Sequence, residues 1–192
     1  MHFQSMSRPR ERVNLRTTLK QVMLLCFFLI PSAADLRAQY RSGQWGIGFR
    51  LGASPYDLDG TGTGFVLGPQ ADYALNKALV GELALTLFDH YTTVDFGGVV
   101  RATNRTRLLL PELSLQAQAT MGRFQPYLFA GGGVAVRLNG SVAAGNTLHA
   151  GIGTRVGVGE PTMLRFEARA RAIRPSAGET VDLTAGIEWA ND

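Results

Sequence analysis

The sequence predicts an all-β chain whose eight antiparallel strands close as an up-and-down barrel. Three observations predict it. Apolar residues recur with period two from Trp45 to Trp189, eight such segments fill that stretch, and the connections between them alternate short and long. Glycine, at 23 of 192 residues and in no collagen-like period, argues in the same direction by excluding a long-helix or coiled-coil protein.

The strands do not begin at residue 1. Five cations from Arg8 to Lys20 precede the apolar run Val22 to Ile30, then Pro31 and the small residues Ser32, Ala33 and Ala34. This is the layout of a secretory signal peptide, and the run is too short to cross a bilayer as a helix, which needs about 20 apolar residues. Residues 1–38 are therefore set apart, with cleavage after Ala34 or Ala38, and the domain is 39–192. The first 38 residues hold six of the 19 basic and two of the 15 acidic residues, so the remainder carries thirteen of each. A balanced chain is not a basic nucleic-acid-binding domain, and no nucleic-acid partner is expected. Cys26 lies inside the apolar run, so the exported chain has neither disulfide nor thiol chemistry.

The elements follow in order. Trp45, Ile47, Phe49, Leu51 and Ala53 alternate with Gly46, Gly48, Arg50, Gly52 and Ser54, which makes a strand at 45–53. Phe65, Leu67, Ala71, Tyr73 and Leu75 against Gly68, Gln70 and Asp72 make the second, at 64–75. Leu79, Leu83, Leu85 and Leu87 against Glu82, Ala84 and Thr86 make the third, at 79–88. Leu109, Leu113, Leu115 and Ala117 against Glu112, Ser114, Gln116 and Gln118 make the fourth, at 107–120. The fifth, at 126–137, sets Leu128, Ala130, Val134 and Val136 against Gly131, Gly133 and Arg137, although Tyr127 and Phe129 blur its phase. Leu148, Ala150, Ile152, Val156 and Val158 oppose His149, Gly151, Gly153, Arg155 and Gly157 at 147–158. Leu164, Phe166, Ala168 and Ala170 oppose Arg165, Glu167, Arg169 and Arg171 at 163–174. Val181, Leu183, Ala185, Ile187 and Trp189 oppose Asp182, Thr184, Gly186 and Glu188 at 180–189. Loops 54–63, 89–106 and 138–146 are long; 76–78, 121–125 and 159–162 are short.

An even number of antiparallel strands with tight turns at one end describes a transmembrane barrel whose short turns and termini are periplasmic. Composition orients the faces. A soluble barrel of this size would coat its outside with Lys and Glu, whereas the exported chain has one lysine, Lys77, in a short turn. The polar face mixes glycine with arginines and carboxylates, which suits a narrow interior; the apolar face, rich in Leu, Ile, Val, Phe and Ala, suits lipid. Trp45, Tyr73, Tyr127 and Trp189 fall at the periplasmic ends of their strands, the level expected of an interfacial aromatic girdle.

With these features in place, the chain resembles the small bacterial outer-membrane β-barrel proteins, including the outer-membrane protein A transmembrane domain and the opacity-type barrels. The resemblance runs from about Gln39 to Trp189. It is carried by the signal segment, the eight alternating segments and stretches such as Gln125-Pro126-Tyr127-Leu128-Phe129-Ala130-Gly131-Gly132-Gly133 and Leu164-Arg165-Phe166-Glu167-Ala168-Arg169. It implies location in the bacterial outer membrane, contact with outer-membrane lipid and lipopolysaccharide, and insertion by the assembly machinery. Family barrels finish on an aromatic residue, whereas here Trp189 is followed by Ala190, Asn191 and Asp192.

The inward face is expected to carry Arg50, Arg137, Arg155, Arg165, Arg169 and Arg171 against Asp72, Glu82, Glu112, Glu167, Asp182 and Glu188. Isolated ions in a narrow lumen are costly, so these should pair into an ionic plug, with a selectivity lining as the functional counterpart. Val66, Val80, Phe88, Leu108, Leu110, Tyr127 and Phe129 form an apolar inward set that lines a lateral exit or packs the loop end. A lipid-modifying enzyme would need a histidine beside a serine and a carboxylate. His149 has no adjacent serine and meets Ser114 only in a favourable register, and His90 belongs to a solvated loop. Gly46-Ile47-Gly48 and Gly151-Ile152-Gly153 lack the spacing and the helix of a dinucleotide site, and no residue cluster has metal-ligand spacing. Loop residues Asp57, Asp59, Tyr91, Asp95, Phe96, Gly97 and Gly98 read as solvated surface. No catalytic, cofactor or metal site is expected. The leading expectation is a structural or surface-interaction protein with a plugged lumen, ahead of a narrow channel or hydrophobic-ligand conduit and of an enzyme.

Overall fold

Alternating side chains decide the architecture, because a sheet that is apolar on one face and charged on the other separates the two environments when it closes into a barrel. In the computed structural model eight strands do so: β1 (Trp45–Asp57), β2 (Gly62–Ala74), β3 (Leu79–Phe96), β4 (Val100–Gln118), β5 (Phe124–Arg137), β6 (Ala144–Gly159), β7 (Thr162–Arg174) and β8 (Gly178–Asn191). Each pairs antiparallel with its sequence neighbour, and β1 with β8 closes the barrel. The described residues are 40–57, 62–96, 100–139, 144–174 and 178–191. The signal segment, Asp59, Gly97, Gly98 and Asp192 lie outside them.

Closure leaves no free edge, which is the only way a sheet satisfies its backbone in hydrocarbon. The connections at the end holding the termini are tight. At Asn76 the side-chain amide oxygen accepts from the backbone N–H groups of Ala78 (2.8 Å) and Leu79 (2.9 Å), so the turn makes its own hydrogen bonds.

The wall is apolar outside. Leu83, Leu85, Leu113, Leu115, Leu128, Leu148, Ile152 and Leu183 are all exposed, while the residues between them on the same strands turn inward. An uncovered surface of this kind is stable only against lipid. Trp45, Tyr73 and Trp189 are exposed near the end that holds the termini, with Trp45 opposite Tyr73 and Ile47 opposite Trp189.

The third and fourth strands are longer than their alternation indicates. The expected loop at 89–106 is mostly ladder, running from Asp89 opposite Arg107 to Phe96 opposite Val100. Beyond residue 88 the apolar/polar alternation that marks a half-buried strand fades, yet Tyr91-Thr92-Thr93-Val94 is rich in β-branched and aromatic residues that favour extended backbone. Crossing a membrane takes about 9–11 residues. Strands of 18 and 19 residues therefore carry this hairpin well past the apolar band.

Candidate functional site

The inward side chains fill the lumen in layers. At the end holding the termini, Tyr40, Ala74, Val80 and Met163 form an apolar cluster. At the opposite end Val66, Phe88, Leu108, Leu110, Ala135 and Ile173 form another. Of the inward apolar residues foreseen from sequence, Val66, Phe88, Leu108 and Leu110 pack the loop end, Val80 packs the end holding the termini, and Tyr127 and Phe129 are buried outside both clusters.

Between the two clusters lies a continuous set of ion pairs. Nearest the termini, Arg155 Nε reaches Glu188 at 3.0 Å and its Nη2 reaches Asp72 at 3.5 Å. Gln116 accepts from the same Nη2 at 2.6 Å, and Gln118 accepts from Nη1 at 3.2 Å. Arg165 is next, with Nη1 3.1 Å from Asp72 and Nη2 on both Glu82 and Glu167, the latter at 2.6 Å. Arg50 lies 3.2 Å from Glu82 and 3.5 Å from Glu167, and Arg169 lies 3.3 Å from Glu82 and 3.4 Å from Glu167. Glu112 joins this centre to the far layer, 3.4 Å from Arg169 and 3.1 Å from Arg171, and Arg171 Nε reaches Asp182 at 3.0 Å. These charged side chains are all buried. Each carboxylate lies within ion-pair distance of at least one guanidinium group, which offsets the loss of hydration, although Arg171 Nε and Nη1 and Asp182 Oδ2 lack hydrogen-bond geometry.

Arg137 departs from the expected network. It is half-buried near the far end of β5 and forms no ion pair among the described residues; its Nε has no hydrogen-bond partner. Its alternation is correct, but its row is occupied by the apolar Leu108 opposite it.

Tyr127 is a correction to the aromatic girdle. Its ring is buried inside the barrel, not exposed at the interface. It lies opposite Gly153, where an added Cβ would collide with the ring, so glycine makes the space. The hydroxyl donates to Glu167 at 3.0 Å and accepts from Arg165 Nε at 2.8 Å, and the guanidinium of Arg155 lies 4.6 Å from the ring centroid. Those partners explain the inward turn.

Tyr40 has no sequence signal, because it precedes the first alternating residue. It tucks into the lumen beneath Arg155, and its hydroxyl donates to Glu188. Burial first, and then the Glu188 carboxylate, raises this phenol above its ordinary range, which keeps the donor proton in place. His90 is a further departure: it lies in β3, buried, with its ring stacked 5.5 Å from Phe88, not in a solvated loop.

Ser114 and His149 do meet. Ser114 is opposite Gly131, and Gly131 is opposite His149, so the two side chains face each other across a residue with no side chain. Ser114 Oγ lies 2.7 Å from His149 Nε2, and His149 Nδ1 lies 3.2 Å from Glu112 Oε1, although Nδ1 lacks hydrogen-bond geometry. The register that sequence alone left open therefore assembles serine, histidine and carboxylate, but Glu112 is already engaged by Arg169 and Arg171. Among the described residues no group of three or more His, Cys, Asp or Glu side chains is arranged to hold a metal ion.

No protein-family model matches the sequence, and no curated protein matches it significantly. Solved structures do. The outer membrane protein OprG from Pseudomonas aeruginosa is similar over 82% of this chain and 99% of its own, with a TM-score of 0.59 at 16% identity. Neisserial surface protein A is similar over 77% of this chain and 97% of its own, with a TM-score of 0.56 at 18% identity. The fold is that of the small outer-membrane β-barrels. The N-terminal β-barrel domain of Pseudomonas aeruginosa OprF has it too, with a TM-score of 0.52 at 14% identity over 79% of this chain and 100% of that domain. At such identities the likeness carries the architecture and nothing about ligands.

Proposed function

We propose that this chain is a non-enzymatic structural or surface-interaction barrel of the bacterial outer membrane, with a lumen closed to solutes. The observation that carries the proposal is the unbroken run of buried ion pairs from Glu188 to Asp182, held between two apolar clusters. A permeating ion would have to separate arginine–carboxylate pairs that have little water to replace them, and then cross an apolar layer. Eight strands enclose an interior just wide enough for side chains to fill. In this reading the termini and tight turns face the periplasm, and the long β3–β4 hairpin is displayed at the cell surface. Outer-membrane lipid and lipopolysaccharide surround the wall, and the assembly machinery inserts it. Proteoliposomes carrying the folded protein should show no osmotic swelling with small sugars or amino acids; swelling at rates set by solute size would overturn the closed lumen.

One observation favours a second reading, a lipid-modifying hydrolase, namely the 2.7 Å contact between Ser114 and His149. The structural reading is preferred because Ser114 is buried in the lumen and Glu112 is shared among arginines. Ser114→Ala and His149→Ala should leave the acyl pattern of lipid A, read by mass spectrometry, as the wild type makes it. A wild-type-dependent acyl change lost in both variants would put the enzyme first.

A further inference from the structure

The outward face of β3 and β4 is apolar as far as Leu87 and Leu109, which lie opposite each other, and changes character at the next outward pair. There Asp89 lies opposite Arg107, and one pair further on Tyr91 lies opposite Arg105. Arg105 grips Asp89 with two nitrogens, Nε at 2.9 Å and Nη2 in a shorter contact, and Arg107 Nε reaches the same carboxylate at 3.2 Å. The Arg105 guanidinium lies 5.0 Å from the Tyr91 ring centroid. Asn139 holds the backbone, accepting from Arg107 N at 2.8 Å and donating to Arg105 O at 2.6 Å. One carboxylate thus orients two guanidinium groups and leaves a net positive charge. Their side chains stay 43% and 47% exposed against 15% for Asp89, and both Nη groups of Arg107 lie outside the Asp89 contact.

A second feature lies below on the same face. Pro69 and Ala71 on β2 are small or ring-closed, and they leave an apolar groove of about 610 Å³ between Phe49 on β1 and Leu83 and Leu85 on β3, with Pro111 of β4 flanking Leu85. Leu85 is four residues from Asp89 along β3, about 14 Å of strand at 3.4 Å per residue. Phosphate pairs with arginine through parallel N–H donors, and the groove beneath has the polarity of an acyl chain. We propose that Arg105 and Arg107, oriented by Asp89, bind the phosphate of a lipid headgroup whose acyl chain lies in the groove below. The site rests on the reading above in that this rim then meets the outer leaflet, where the lipid is a phosphorylated glycolipid.

Purified, refolded barrel in detergent micelles should be titrated with bisphosphorylated lipid A, with its dephosphorylated form and with inorganic phosphate, and binding read by native mass spectrometry. Wild type should prefer the phosphorylated lipid by about tenfold or more, and the Arg105→Gln/Arg107→Gln variant should lose that preference. Ala71→Leu, which fills the groove without touching the arginines, should weaken the phosphorylated lipid and leave inorganic phosphate unaffected. Heat-modifiable gel migration verifies folding of each variant. Equal binding of both lipids by wild type, or an unchanged preference in the double variant, would overturn the site. Inorganic phosphate competing at the same concentration as the lipid would overturn the lipid as its ligand. Micelle binding does not depend on which rim faces the cell surface. That question is answered separately by labelling Glu179→Cys, exposed at the start of β8 at the end away from the termini, in intact cells with an impermeant thiol reagent, so failure of the orientation and failure of the site are distinguishable.

Discussion

Glu82 accepts from Arg50, Arg165 and Arg169 at once, and Glu167 pairs with the same three arginines, so these two carboxylates share the lumen centre. Replacing a buried ion while leaving its partners in place costs about 3–5 kcal/mol, because the orphaned charges lose both hydration and pairing. Glu82→Gln is expected to lower stability by that amount in urea-dependent folding into lipid vesicles; a change within 1 kcal/mol would mean that the arginines reach water. Tyrosine gives a paired test. Tyr127→Phe removes a hydroxyl that bridges Arg165 and Glu167 in a buried site, and should cost about 1–3 kcal/mol. Tyr73→Phe, on the exposed outer wall, should change stability by clearly less. Equal effects would return Tyr127 to the interface. The difference between these two tyrosines is a matter of one strand's phase, and that phase depends on which residues lie opposite.

At the scale of the strand, alternation assigns each face. Leu85 and Ile152 are exposed on the apolar wall, so Leu85→Arg or Ile152→Arg puts a guanidinium into hydrocarbon at a cost of about 2–4 kcal/mol at the midplane. The same urea titration checks it, and a near-zero cost would reverse the faces. Most of the fold was legible for the same reason. Period two with polar residues on one side survives even when packing partners are unknown, so the strand cores and inward arginines such as Arg50, Arg155, Arg165, Arg169 and Arg171 could be read directly. Four features could not. The outer half of the β3–β4 hairpin no longer alternates, so its strands end too early in sequence and His90 is misplaced with them. The sequence places Tyr127 in both the girdle and the inward set, and the choice between them is made by Gly153, which lies opposite it on another strand and is a fact of register. The meeting of Ser114 with His149 depends on two successive registers through Gly131. Tyr40 precedes the first strand and shows itself only through its contact with Glu188.

The whole molecule is a wall that is apolar toward lipid, a lumen that is ionic at its middle, and apolar layers at both of its ends. Closure of the sheet satisfies the backbone, and pairing of arginines with carboxylates satisfies the interior, so the two requirements of a membrane barrel are met by different sets of residues. A closed lumen requires that interior to be solid. The direct measurement is single-channel conductance of the refolded protein in a planar bilayer, with Glu112→Ala and Arg155→Ala alongside and heat-modifiable migration to prove that each barrel has folded. A silent wild type is the predicted result. Steady, discrete wild-type conductance that shifts with either lumen substitution would contradict it, since the charged interior would then be a path for ions.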